Sequence, residues 1–212
     1  MTSLHPVSRR RALAYLGLIG VAQPLRAFAA DDDLQRLFAE LGASRERHAR
    51  FTERKFSALL KGPAESSGTL VFQAPDILEK RTVEPQRESV RIEGSKVTYE
   101  GAPRGGSVQK RTFSLADAPL LAALIESLRA TLAGDLVTLR RHYEVAWTAL
   151  QAPKSWQLTL TPRVRALRDV VSKVELRGAA GEVTAIEIVE ANGDLTLMQI
   201  TPMPAVAKPA KK

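Results

Sequence analysis

The chain has 212 residues, no cysteine, and 31 Lys plus Arg against 23 Asp plus Glu, for a net charge of +8 and a pI near 10.0. The absence of cysteine excludes disulfides, thiolate metal sites, a Cys nucleophile and a lipobox for lipid anchoring. The length allows one ordinary domain or two small ones, and with only 5% aromatics any apolar cavity is lined mainly by Leu, Val and Ile.

A pI this high points first to nucleic acid, but the charge is unevenly placed. Arg9, Arg10 and Arg11, the apolar run Ala12 to Val21 and the A-x-A signal Ala27-Phe28-Ala29 read as a secretory signal peptide over residues 1–29. Ser8 to Leu13 also resembles a twin-arginine signal, so export to the periplasm by the Sec or twin-arginine route is expected. The apolar run falls short of the roughly 20 residues that span a bilayer. Residues 1–29 hold four Arg and no acid, leaving 27 basic and 23 acidic residues, or +4. Lys208, Lys211 and Lys212 lie in a Pro/Ala-rich tail, 204–212, that reads as disordered, and without them the body carries +1. No nucleic-acid partner is expected for such a body.

The expected domain spans residues 30–203. Asp31-Asp32-Asp33 reads as an N-cap, followed by Leu34, Leu37, Phe38 and Leu41 on one helical face and Gly42 as a stop. Arg50 to Leu60, Thr69 to Gln73, Ile77 to Val83, Glu88 to Ile92 and Lys96 to Tyr99 read as strands. Ala74-Pro75-Asp76, Glu84-Pro85 and Glu93-Gly94-Ser95 are their corners, and Gly101 to Gly106 is a loop. Asp117 to Leu132 is a second helix with Pro119 in its first turn and a wide Leu stripe, ended by Gly134. Val137, Leu139, Arg141, Tyr143, Val145 and Trp147 alternate as one face of a strand. Trp156 to Leu160, Val170 to Leu176, Val183 to Val189 and Leu195 to Ile200 complete a meander.

Ten or eleven consecutive strands and two helices predict a mainly β, α+β fold. The expected form is a curved antiparallel sheet making an incomplete barrel, with helices over its concave face. Such a fold can hold an apolar ligand between sheet and helices.

Catalytic chemistry is not expected. No G-x-S-x-G, H-E-x-x-H, P-loop or G-x-G-x-x-G pattern occurs, and His48 and His142 read as solvent-facing residues without a partner nucleophile. No metal or other cofactor is implied. Arg141 stands on the apolar face of its strand, where a lone charge is costly. It either binds a ligand carboxylate or phosphate at a cavity mouth, or its stem packs and its head reaches water.

Ala49 to Lys55, Ser67-Gly68-Thr69-Leu70-Val71-Phe72-Gln73-Ala74-Pro75, Thr82 to Pro85, Val90 to Gly94 before Val97-Thr98-Tyr99, and Trp156 to Pro162 together resemble the LolA-like family, in order and spacing over residues 34–203. That family comprises periplasmic carriers of outer-membrane lipoproteins. The resemblance implies a monomeric, non-enzymatic carrier of acylated lipoprotein or lipid cargo, working between an inner-membrane transporter and an outer-membrane acceptor. A lipid-sensing regulator on the same fold, bound to a membrane signalling partner, is the alternative. The expected cavity and lid residues are Phe51, Phe56, Leu70, Phe72, Val90, Ile92, Leu121, Leu124, Ile125 and Leu128, with Arg141 beside them. One departure stands out. The family places an arginine just before the proline of its second strand as a latch for the lid, and here that position is Ala74.

Overall fold

The computed structural model describes residues 25–102 and 106–204. The expected signal-peptide features up to residue 24, the core of the 101–106 loop and the Lys/Pro tail beyond 204 lie outside them. Eleven strands form one antiparallel sheet: β1 (Glu46–Phe56), β2 (Ala64–Gln73), β3 (Ile77–Glu84), β4 (Glu88–Glu93), β5 (Lys96–Gly101), β6 (Gln109–Ser114), β7 (Tyr143–Ala149), β8 (Ser155–Pro162), β9 (Val171–Ala179), β10 (Glu182–Glu190) and β11 (Leu195–Met203). Their spatial order is β6-β5-β4-β3-β2-β1-β11-β10-β9-β8-β7, so every neighbour is consecutive in the chain except β1 beside β11. The edges β6 and β7 do not pair, and the sheet does not close into a barrel.

The helices are α1 (Leu25–Gly42), α2 (Pro119–Leu132), α3 (Leu136–His142) and the single turn α4 (Arg165–Arg168), with a 3₁₀ turn at Leu115–Asp117. The 3₁₀ turn, α2 and α3 lie between the two edge strands in the chain and cross from one edge to the other. One face of the sheet is covered by helices in two patches. Leu34, Leu37, Phe38 and Leu41 of α1 and Leu136 and Leu139 of α3 pack with Trp156, Leu158, Leu160, Leu176 and Val183. On the other half, Leu121, Ile125 and Leu128 of α2 rest against Phe72, Leu78, Ile92, Val97 and Leu115.

Glycines permit the closest approach between helices. A Cβ on Gly134, whose φ is +74°, would stand 2.2 Å from the Phe38 carbonyl oxygen, and one on Gly42 would stand 2.7 Å from that of Ala133. The end of α1 therefore sits directly against the α2–α3 turn. Arg47 reinforces it, donating to the Gly181 carbonyl at 2.7 Å and to the Leu41 carbonyl, and pairing with Glu182 at 3.0 Å.

Three expectations are corrected here. First, Asp31 to Asp33 do not cap α1, because Leu25 to Ala30 are mostly good helix formers and the helix runs through them. Asp31 instead bonds Arg140 of α3 at 2.5 Å, an exposed pair in which the hydrogen bond and then the charge of the guanidinium lower the Asp31 carboxyl pKa. Second, residues 137–142 are helical and not a strand. Leu136, Leu139 and Tyr143 are buried at helical spacing, while Val137 is 70% exposed, so the alternation there is coincidental. Asp135 caps this helix by accepting from the Thr138 amide at 2.9 Å, and Arg140, Arg141 and His142 complement its C-terminus. Arg141 is exposed on α3 and does not stand on the inner face of the sheet. His142 is also helical and meets Glu126 of α2 at 3.1 Å, with its side chain 19% exposed. Third, β6 and the two short helices had no counterpart in the expected elements.

The opposite face of the sheet carries cross-strand charges. Glu79, with only 8% of its side chain exposed, is bonded by Arg81 and by Arg91, the latter at 2.9 Å. Burial acts to raise its pKa, but the two guanidinium groups outweigh it and the pKa lies below the usual glutamate value. Such a group stabilises the fold above its unfolded-state pKa, and the contribution is lost as pH falls through the depressed folded value. Urea unfolding across the acid range is therefore expected to show a smaller loss of stability on acidification for Glu79→Gln than for wild type. In the same assay at neutral pH, Leu139→Ala should cost about 2–5 kcal/mol as a cavity in the core. Arg141→Ala should stay within about 0.5 kcal/mol, as expected of an exposed helical position. A large effect of Arg141→Ala would contradict its exposed placement.

Candidate functional site

Side chains of β2 to β5 form three parallel rows on the helix-covered face, each set by direct cross-strand pairing. The first is Phe72–Leu78–Ile92–Val97, wholly apolar, and α2 lies over it. The second is Leu70–Lys80–Val90–Tyr99, and the third is Thr82–Glu88–Gly101 with Gly68 and Phe51 beside it. The face thus grades from dry to polar as the strands run away from the 74–76 and 93–95 turns.

Phe51 is the pivot of this gradient. It is 2% exposed and sits directly opposite Gly68, where a Cβ would come within 3.0 Å of the Phe51 ring and within 1.8 Å of the Arg81 carbonyl oxygen. The Lys80 ammonium lies 4.9 Å from the centre of the Phe51 ring and pairs with Glu53 at 2.8 Å. Thr82 and Tyr99 both reach Glu88, each at 3.4 Å. Beyond them a groove of about 390 Å³ is lined by Thr52, Glu53, Arg54, Glu65, Ser66, Ser67, Glu84 and Pro85. A depression of about 550 Å³ on the solvent side of α1 is lined by Asp32, Gln35, Arg36 and Ala39, and no residue of the site faces it.

Most of the expected lining residues come together. Phe51, Leu70, Phe72, Val90 and Ile92 share the helix-covered face, and Leu121, Ile125 and Leu128 cover its apolar row. Leu124 points to the other patch, near α1 and β8. Phe56 does not belong to the set. It is five residues from Phe51 along a regular strand, so it faces the opposite side, where Arg54 lies 5.2 Å from its ring centre. Arg141 does not belong either, being exposed on α3.

A different arginine joins helix and sheet beside Ala74. Arg129 of α2 donates to the carbonyl oxygens of Asp76 and Gly94, the latter at 2.8 Å. Asp76 lies two residues past Ala74, so the guanidinium comes from the helix and its acceptors are turn carbonyls of the sheet. Burial lowers the pKa of Arg129, opposed by the charge of Asp76. In the sequence, Arg129 is the one basic residue within the apolar Leu stripe of α2, and that was the available signal.

The family model described as "Outer membrane lipoprotein carrier protein LolA-like" matches residues 22–211. The chain belongs to this LolA-like family. No curated protein matches its sequence. Among solved structures, a LolA superfamily protein from Nitrosomonas europaea is similar at 13% identity and a TM-score of 0.42, over 85% of this chain and 94% of that one. MucB is similar at 17% identity and 0.44, over 86% of this chain and 61% of MucB. LprF from Mycobacterium bovis is similar at 10% identity and 0.34, over 84% of this chain and 96% of that one.

For this LolA-like chain the cover over the apolar row is incomplete. Leu121, Ala122, Ala123, Leu124 and Ile125 of α2 are all half-buried. No helix among the described residues is long and apolar enough to cross a membrane. Phe51→Ala should destabilise the fold by about 3–5 kcal/mol, because it empties a fully packed position. Phe56→Ala should cost less than half of that, and thermal or urea denaturation of the two variants gives the ranking.

Proposed function

We propose that the protein binds the acyl chains of a lipoprotein or another lipid beneath α2 and carries them through the periplasm from an inner-membrane donor to an outer-membrane acceptor. The observation that carries this reading is the apolar row Phe72–Leu78–Ile92–Val97 under one helix, α2, whose residues 121–125 are half-buried and whose Arg129 bonds two turns of the sheet. A cover of that kind can swing away and leave the paired strands intact. An acyl chain then takes the place of the α2 leucines, and each methylene it buries contributes about 0.8 kcal/mol. Release follows when a partner favours the covered state again. Membership in the LolA-like family supports the same reading.

The carrier acts by binding, with no bond made or broken. It works as a monomer of residues 30–203 after loss of the signal peptide 1–29. Cleavage there would bring Asp31 to Asp33 into the first turn of α1, where acidic side chains suit the helix N-terminus.

Protein purified from the periplasm and extracted with organic solvent should yield acyl species by mass spectrometry. A fluorescent fatty acid should bind the delipidated protein and be displaced by lipid. Ile125→Glu should lose most of the probe binding while keeping a native circular dichroism spectrum. Arg129→Gln should lower stability by about 1–3 kcal/mol and speed probe entry several-fold. The absence of both co-purified lipid and probe binding in wild type would sink the proposal.

A further inference from the structure

Three buried side-chain nitrogens among the described residues have no hydrogen-bond partner: Arg47 Nε, Arg129 Nε and Trp147 Nε1. The two arginines satisfy their charge through other nitrogens. Trp147 has no other polar side-chain atom, so its indole is wholly unpartnered. Buried donors are rarely left so, and each one needs an explanation.

Trp147 lies on the edge strand β7, directly opposite Leu158, which is fully buried. It faces the helix-covered side and packs, with Val145 and with Leu124 of α2, against the same apolar cluster. The other tryptophan makes an informative contrast. Trp156, opposite Ala149 on the neighbouring strand, donates its indole N–H to the Ala180 carbonyl at 2.6 Å. One indole is closed off by the fold, and the other is left open within an apolar setting.

We propose that the Trp147 N–H donates to the carbonyl oxygen of an ester- or amide-linked acyl chain, so that the site selects acylated molecules over alkyl ones of equal length. This rests on the lipid-binding reading above and extends the ligand's path from the row under α2, past Leu124, into the second cluster, where it names the polar anchor. The chemistry favours a neutral acceptor. An indole N–H donates only and carries no charge, and a carboxylate drawn into this apolar cluster would lose its hydration without a counter-charge. An ester or amide carbonyl loses far less and supplies the acceptor that the indole lacks.

The test compares dipalmitoyl phosphatidylcholine with its ether-linked dihexadecyl counterpart. Each displaces a fluorescent fatty acid from wild type and from Trp147→Phe, which keeps an aromatic ring and removes the N–H. Wild type should bind the ester lipid about fivefold to tenfold more tightly than the ether, the range one hydrogen bond supports. In Trp147→Phe the two lipids should bind alike. Equal binding of both lipids to wild type overturns the proposal and leaves the carrier reading standing, and so does a Trp147→Phe protein that keeps the ester preference. Failure of wild type to bind the probe or either lipid overturns the carrier reading itself. The wild-type comparison stands even if Trp147→Phe folds poorly.

Discussion

The pairing of the first strand with the last sets the form of the whole molecule. β1 and β11 run side by side from His48–Met203 to Phe56–Leu195 in unbroken register. With that seam in the middle, hairpins extend the sheet outward in both directions, and the two strands nearest the centre of the chain, β6 and β7, become its edges. The segment between them has to travel from one edge to the other. It does so as a 3₁₀ turn and two helices, and the covered face of the sheet is the face it crosses. The helical cover is therefore a consequence of topology. Joining residues 139 to 155 positions apart carries a large loop-closure cost, which slows the folding of such a sheet.

The helices that meet this face are held in different ways. α1 is fixed by buried Leu and Phe side chains, by the glycine contacts at Gly42 and Gly134, and by Arg47 reaching from β1 to its last turn. α2 has a different balance. Its residues 121–125 are half-buried while Ala130 is buried, and on β2–β5 it combines the packing of Leu121, Ile125 and Leu128 with two hydrogen bonds from Arg129 to turns. Hydrogen bonds to a charged donor are each worth about 1.5–3 kcal/mol net, small beside the packing that holds α1. The two helices thus differ in how fully they are packed, and the less fully packed one, α2, lies over the dry row of the sheet.

Much of this was legible in residue patterns, and the misses have identifiable causes. Period two located ten of the eleven strands, because one face of each is apolar. It missed β6, Gln109 to Ser114, where Phe113 is the only large apolar residue, as suits an edge strand that must not recruit another. It misread residues 137–142, because Val137, Leu139 and Tyr143 satisfy alternation and Leu136, Leu139 and Tyr143 satisfy helical spacing. The capping aspartate at Asp135 and the three basic residues at 140–142 were the deciding signals. Phe56 matches Phe51 in residue type, but an odd separation along a strand puts the two on opposite faces. The Arg129 contacts leave one sign, a lone basic residue in an apolar stripe, and their acceptors leave none, since backbone oxygens far away in the chain carry no side-chain signature.

The polar end of the covered face limits where a helix can lie and where a ligand can enter. Lys80, Glu53, Thr82 and Glu88 occupy positions that face the same side as Phe72 and Ile92. Covering them with an apolar helix would strip water from an ion pair, and the desolvation would exceed what the pair returns. Lys80 and Glu53 accordingly keep 34% and 19% of their side chains exposed. The polar rows lie beside the apolar one, and there Thr82 and Phe51 are buried while Lys80 and Glu88 keep contact with water. An amphiphile laid on this face would gain most with its chain under α2. The reverse placement would bury a head group against Phe72 and Ile92, with no partner for its charge.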